Sequence, residues 1–200
     1  MSARAGDEKT ETKTRHVLVV GGGLAGLSAA IEAFNSGAKV TIIDGEKDIG
    51  GNSAKASSGI NGVNTEAQRK LGIKDGTDQF FHDTMSAGDH ENDPVLVDTL
   101  THDSTDAIQF LIDRGVNLMA VNILGGHSQP RTHWLPSPKE GKPMPIGVAI
   151  IRALKAHYEQ LMKQEPERAQ LLTSTRATDL LVSKSSPPAV IGVRVKRLLL

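Results

Sequence analysis

In Val17-Leu18-Val19-Val20-Gly21-Gly22-Gly23-Leu24-Ala25-Gly26, four apolar residues, three of them β-branched, run into a glycine-rich turn. The apolar run predicts a short buried strand, and Gly21, Gly23 and Gly26 stand at Gly-x-Gly-x-x-Gly spacing. Residues 24–34, rich in Ala and Leu, predict a helix directly after it. Each glycine answers a separate demand of a dinucleotide site. Gly21 lets the strand turn sharply, Gly23 lets the backbone approach a pyrophosphate, and Gly26 lets the helix pack on the strand. The start of the helix adds free N–H groups and the positive end of its dipole. A glycine triplet alone is weak evidence. Here a second strand, Lys39–Ile43, ends at Asp44, eighteen residues beyond Gly26, where an acid for ribose hydroxyls is expected. Together these features predict a dinucleotide site in a Rossmann-like α/β fold.

Residues 45–62, GEKDIGGNSAKASSGING, are dense in Gly, Ser, Ala and Asn. Such a composition suits backbone that must touch a ligand and present many N–H donors. Composition alone would equally permit a flexible surface loop, and the position directly after the ribose acid favours the ligand reading.

Composition narrows the function classes. The 200 residues hold 23 Lys and Arg against 23 Asp and Glu, with no dominant basic face, so nucleic acid is not suggested. The absence of cysteine excludes disulfides, thiolate metal sites and catalytic thiols. One Trp, one Tyr and four Phe make the core aliphatic. Residues 1–14 are polar and charged and read as a disordered tail or linker, leaving 15–200 as the folded domain. No secretory signal and no membrane span is seen, so the cytoplasm is the default compartment, with a mitochondrion or another organelle left open.

Three stretches in order, GGGLAGLSAA, IIDGEKDIGGNSAKASSGIN and GGHSQPRTH, resemble the FAD-dependent fumarate reductase and succinate dehydrogenase flavoprotein family. The resemblance runs from about residue 15 to 196 and is strongest to the soluble branch, which includes eukaryotic NADH-dependent fumarate reductases. It implies a glutathione-reductase-like FAD-binding domain. In that family Ala25 matches the phosphate turn, with Gly21, Gly23, Leu24 and Gly26, and Asp44 matches the adenosine-ribose acid, more often Glu. Gly51, Asn52, Ser53, Ser57, Ser58 and Gly59 match the loop around the pyrophosphate and isoalloxazine. Membrane-bound relatives carry a flavin-linked histidine where this chain has Asn52, and an amide cannot form that bond. The resemblance therefore implies FAD held non-covalently.

Further along, residues 78–87 predict a short helix, and Asp93 and Pro94 open a longer one as N-cap and first residue, with Gly115 just past its end. Val97, Leu100, Ala107, Ile108 and Leu111 form its expected apolar stripe. His82, His90 and His102 lie nearby, but no two are spaced i, i+4, and solvated or capping roles are expected rather than a metal site. His127, Arg131 and His133 suggest acid–base chemistry in isolation, but without a Gly-x-Ser-x-Gly elbow no nucleophile is oriented. They read as mainly structural or as lining near the flavin, and Arg131 suits a carboxylate partner inside the fold. Four prolines within 136–145 predict a stiff connection, and a helix resumes over 147–164 with Val148, Ile151, Leu154, Tyr158, Leu161 and Met162 buried. Residues 170–183 predict strands with a bend, and 189–195 a final hairpin strand. The family match places Ala177 at a main-chain contact with adenine.

The chain ends on three leucines after that strand, before the later flavin-domain segment and cap that the resemblance leads one to expect. An N-terminal, incomplete domain is the expectation, with an exposed sheet edge as an association hazard. The resemblance implies reduction of fumarate, a dicarboxylate, to succinate by hydride from flavin N5, with NADH or a reduced flavin as donor. No catalytic residue is then expected within 1–200. The alternatives are a relative acting on another unsaturated acid, a steroid or L-aspartate, and a non-catalytic flavin-binding fragment. An NAD site is less suited to the long Gly-Gly-Asn-Ser loop.

Overall fold

The computed structural model describes residues 15–198, so the expected 1–14 tail and the last two leucines lie outside the described residues. The chain opens with β1 (His16–Val20), α1 (Leu24–Asn35), β2 (Lys39–Ile43), a 3₁₀ turn at Gly51–Lys55 and β3 (Ile60–Asn61). Then come α2 (Glu66–Lys70), α3 (Thr77–Ala87), α4 (Pro94–Ile112), β4 (Ala120–Asn122) and β5 (Thr132–Trp134). The last elements are α5 (Ile146–Gln164), β6 (Ala169–Leu172), β7 (Thr175–Val182) and β8 (Val190–Arg197).

The parallel sheet has the order β1-β2-β6, with Val19 opposite Ile42 and Ile42 opposite Leu171. Central β2 buries Val40, Thr41, Ile42 and Ile43, as expected of a parallel strand enclosed on both faces. Helix α1 turns Leu27, Ala30, Ile31 and Phe34 inward, a stripe at helical spacing. Helix α5 meets the same core with Ile146, Ile150, Ile151, Leu154, Tyr158 and Leu161. The Tyr158 hydroxyl donates to the carbonyls of Val40 (3.3 Å) and Gln170 (3.1 Å), tying α5 to two strands. Burial pushes this phenol up to about 12. Arg168 closes the far end of α1 by donating through Nη2 to the carbonyls of Phe34 (2.7 Å) and Ala38 (3.2 Å), with its guanidinium 4.1 Å over the Phe34 ring. The Phe34 carbonyl, in the last turn of α1, also accepts from the Gly37 N–H at 2.9 Å.

A second, antiparallel sheet runs β3-β5-β4, and α4 packs against α3 and α5. The Asp93 carboxylate accepts from the N–H groups of Val95 (2.9 Å) and Leu96 (3.3 Å), confirming the cap read from sequence. Ser104 accepts from the Val63 N–H at 3.2 Å and Thr105 donates to the Val63 carbonyl at 2.7 Å, which fixes the chain leaving β3. β7 and β8 form a separate antiparallel hairpin with most side chains exposed.

Several expectations are corrected. β1 is half-buried rather than buried, and Val20 is 58% exposed, because β1 pairs on one side only, with β2. Leu100 and Ala107 face outward; the α4 stripe is Val97, Thr101, Ser104, Ile108 and Leu111, with the Ser104 hydroxyl on that face where α4 bonds the Val63 N–H. Of the expected α5 face, Val148 and Met162 are only partly buried. The bend in 170–183 is a division between sheets: Ser174, at φ +48°, separates β6 in the parallel sheet from β7 in the hairpin. Residues 132–134, for which the sequence predicts no element, form strand β5.

Tyr158→Phe keeps the packing but removes the one O–H that the Val40 and Gln170 carbonyls share. We expect a loss of about 1 kcal/mol of stability, read as a lowered urea midpoint with an unchanged m-value.

Candidate dinucleotide site

The turn after β1 is shaped by its glycines. Gly21 has φ +104°, a region that favours glycine, and its N–H donates to the Ile43 carbonyl at 2.8 Å. A Cβ on Gly26 would run into the Gly21 carbonyl oxygen, so only glycine lets α1 sit this close to the turn. Gly22, to which no role was given, is equally confined: its missing Cβ would lie 2.7 Å from Ile49 Cγ2 and 3.0 Å from Asp44 Oδ2. A Cβ on Gly23 would make only ordinary contacts, 3.6 Å from Ser53 Oγ and 3.8 Å from the Gly50 carbonyl oxygen. No side chain caps α1 at Gly23. Among the described residues, the Ala25 and Gly26 N–H groups have no protein acceptor, while Leu27 donates to the Gly23 carbonyl at 2.9 Å. Uncapped N–H groups at a helix start form an anion site.

Asp44 ends β2 beside this turn. Its Oδ2 accepts from the Gly22 N–H (2.7 Å) and its Oδ1 from the Glu46 N–H (2.8 Å), so the carboxylate holds the turn and is itself held. Gly21, Asp44 and Ala177 line one cavity of about 270 Å³, together with Glu46 and Arg176. Residues 133 positions apart in sequence thus meet, because β6 lies next to β2 and the Ser174 bend returns β7 to its end; Thr175 N–H donates to the Asp44 carbonyl at 2.8 Å. Glu46 and Arg176 carry no motif signal that reveals this placement.

The Gly-Asn-Ser loop folds back onto α1. Ser53 Oγ accepts from the Leu24 N–H at 3.2 Å. The loop is anchored on α5, where the Gly147 N–H donates to the Ala56 carbonyl at 3.0 Å and a Cβ on Gly147 would strike the Ser53 carbonyl. Gly59 has φ +87°, and a Cβ there would meet Thr132 Cγ2 at 2.5 Å and Trp134 Nε1 at 2.8 Å. Gly51, Asn52, Ser57 and Ser58 are exposed. Ser57 lines a cavity of about 680 Å³ with Trp134, Pro136 and Met144, and Ser58 and Gly59 line another with Asn61, Leu124 and Thr132. The predicted residues therefore fall into two groups, the turn with Asp44 and Ala177, and the far arm of the loop.

Arg131, His127 and His133 form a charged core beside the second sheet. Arg131 is fully buried and donates through Nε and Nη2 to both Asp75 oxygens (2.9 and 2.7 Å), and through Nη1 to Asp83 Oδ2 (2.6 Å) and His127 Nδ1 (2.8 Å). Its guanidinium stands 4.9 Å over the Phe80 ring. The carboxylate partner expected for Arg131 is thus a pair of carboxylates. Burial would raise the Asp83 carboxyl, but hydrogen bonds from Ser128, Gln79 and Arg131 prevail and hold it well below the usual carboxylate range. Burial, then the Arg131 charge, lowers His127. His133 donates from Nδ1 to the Arg131 carbonyl (2.8 Å), so its Nε2 accepts from Thr65 Oγ1 (2.8 Å), and burial lowers its pKa as well. Thr65 and Gln68 complete a capping box on α2, a pairing whose Thr-x-x-Gln signature was legible at residues 65–68. Among the described residues no group of three metal-ligating side chains comes together, and no helix is long and apolar enough to cross a membrane.

Arg131→Met strands two carboxylates in the interior and is expected to cost about 3–5 kcal/mol, measured by denaturant unfolding. His133 resists protonation in the fold, so its contribution to stability is present above the unfolded histidine value, about 6.5, and is lost as pH falls below it. The His133 ring signal in an NMR titration is expected to stay in its neutral position through pH 6.5.

Residues 16–198 match the family model described as FAD binding domain. The chain is 39% identical over 195 residues to an NADH:fumarate oxidoreductase of Klebsiella pneumoniae, covering 98% of this chain and 20% of that protein. It is 38% identical to fumarate reductase 1 of Saccharomyces cerevisiae, covering 88% of this chain and 37% of that one. The solved open conformation of a flavocytochrome c3 fumarate reductase superposes with a TM-score of 0.78 at 33% identity, over 93% of this chain and 31% of that one. The chain therefore spans about a fifth to somewhat over a third of the length of these relatives. The α/β fold with its parallel sheet, the glycine turn and the matched family agree: this chain belongs to the FAD binding domain family, its cofactor is FAD, and its relatives are fumarate reductase flavoproteins.

Proposed function

We propose that this chain holds FAD non-covalently for a flavoprotein that reduces fumarate to succinate. One observation carries the placement of the cofactor: the Gly21 turn, the uncapped start of α1, Asp44 and Ala177 are gathered at one end of the parallel sheet. The residues suit the group. Asp44 accepts hydrogen bonds and so complements ribose hydroxyls, the Ala25 and Gly26 N–H groups complement a pyrophosphate, and the bare backbone at Gly23 lets it approach. Gly21 and Leu24 set the turn and the helix entry, and the Ala177 main chain faces the adenine end. Gly51, Asn52, Ser53, Ser57, Ser58 and Gly59 form the wall along the rest of the cofactor. Asn52 is exposed, with Lys55 Nζ donating to its Oδ1 at 3.5 Å, and offers no nucleophilic nitrogen for a flavin bond.

When bound, FAD supplies the acceptance and delivery of two electrons as a hydride. Reduction of the alkene adds a hydride to one carbon and a proton to the other. The acid for that proton, and the cations that hold both carboxylates, are assigned to the part of such a protein that this chain does not span. The relatives' names support fumarate as substrate, and the Klebsiella pneumoniae name supports NADH as donor, directly or through another flavin.

Denaturing the purified protein is expected to release FAD into the supernatant in near-stoichiometric amount. Flavin retained on the precipitated chain would overturn the non-covalent reading, and a holoprotein that leaves fumarate unreduced with every reduced donor would overturn the substrate. Asp44→Ala is expected to weaken FAD about 10- to 100-fold, the loss of hydrogen bonds to a charged group, in a fluorescence titration of the apoprotein.

A further inference from the structure

The cavity that gathers Gly21, Asp44 and Ala177 has one cationic wall, Arg176, and the proposed function gives that residue no role. Its guanidinium has no ion pair or hydrogen bond among the described residues, unlike Arg114, Arg131, Arg168 and Arg194, each of which has an acidic partner within 4 Å. Arg176 is exposed, and its Nε lies 3.9 Å from where a Cβ on Gly45 would stand, across the segment that follows Asp44. Its position is set from two sides. β7 pairs Arg176 with Lys196, and one residue earlier the Thr175 N–H is bonded to the Asp44 carbonyl. A flat, unpaired cation is thus placed on a cavity lined otherwise by the strand end at Val20 and Gly21, by Ile43, Asp44, Gly45 and Glu46, and by Thr175 and Ala177.

Resting on the FAD reading, we infer that Arg176 is an adenine-recognition residue, its guanidinium plane lying on the face of the adenine ring. A guanidinium stacks on aromatic faces, and being weakly hydrated it loses little by doing so. The rival role is a simple charge for the pyrophosphate. The uncapped start of α1 already serves that end, and Arg176 lies with Asp44 and Ala177, on the adenosine side of the turn. The chemistry recognised is an adenine nucleotide, with no demand on the flavin ring.

The test uses FAD and ADP as probes on the apoprotein by calorimetry. Arg176→Ala is expected to weaken both about tenfold, and Arg176→Lys to weaken them nearly as much, since a lysine keeps the charge and loses the plane. A circular dichroism spectrum unchanged from the parent shows that the exposed side chain is not needed for folding. ADP affinity unmoved in Arg176→Ala would overturn the assignment, and full affinity retained by Arg176→Lys would replace it with a charge role. Failure of the unaltered protein to bind FAD or ADP would instead sink the cofactor reading on which this one rests.

Discussion

The closeness of Gly26 to the carbonyl of Gly21 is the constraint on which the site rests. With any Cβ at position 26, α1 would stand off from the turn. That approach places the Leu24 N–H against Ser53 and the Gly22 N–H against Asp44, so it sets the loop and the acid as well as the helix. The glycines act here through steric room for neighbouring backbone, and Gly21 alone of the turn needs a left-handed φ.

A different kind of constraint organises the other half. Arg131 lies fully buried among Asp75, Asp83, His127 and the Phe80 ring, joining α3, the segment before it and β5 through one planar group. Pairs of this kind gain little net stability over an apolar core, but loss of one member is costly. His133, two residues on, relays the same order to the α2 cap through Thr65. A segment that suggested acid–base chemistry from its residue types is therefore spent on holding the sheet that carries Thr132 and Trp134, the residues packed against Gly59.

Much of this was legible in the sequence because it is local. The turn, α1, β2, the Asp93 cap and α5 follow from periodicity and neighbouring residues, and the structure agrees to within a residue or so. What escaped is set by partners distant in sequence. The exposure of β1 depends on which strand lies beside it, and the outward turn of Leu100 depends on α4 bonding Val63 through Ser104 and Thr105. Strand β5, three residues long, has no periodicity to read. The two carboxylates around Arg131 lie 56 and 48 residues away, beyond any spacing rule. Ala177 was placed only by likeness to a family, and the division between β6 and β7 at Ser174 supplies the physical reason for its position.

The anchoring of the Gly-Asn-Ser loop bears on affinity. Residues 50–59 contain little regular structure beyond a single 3₁₀ turn, the kind of segment that commonly orders only when a ligand arrives. Here Gly50 is wedged against Ile151, Ala56 is held by the Gly147 amide, and Gly59 is closed in by Thr132 and Trp134. Immobilising a residue's backbone costs about 1–2 kcal/mol in conformational entropy. On the proposed role of this loop as a cofactor wall, that cost is borne in folding rather than at each encounter with the nucleotide, so its contacts would count toward binding nearly in full, the advantage of a preorganised receptor.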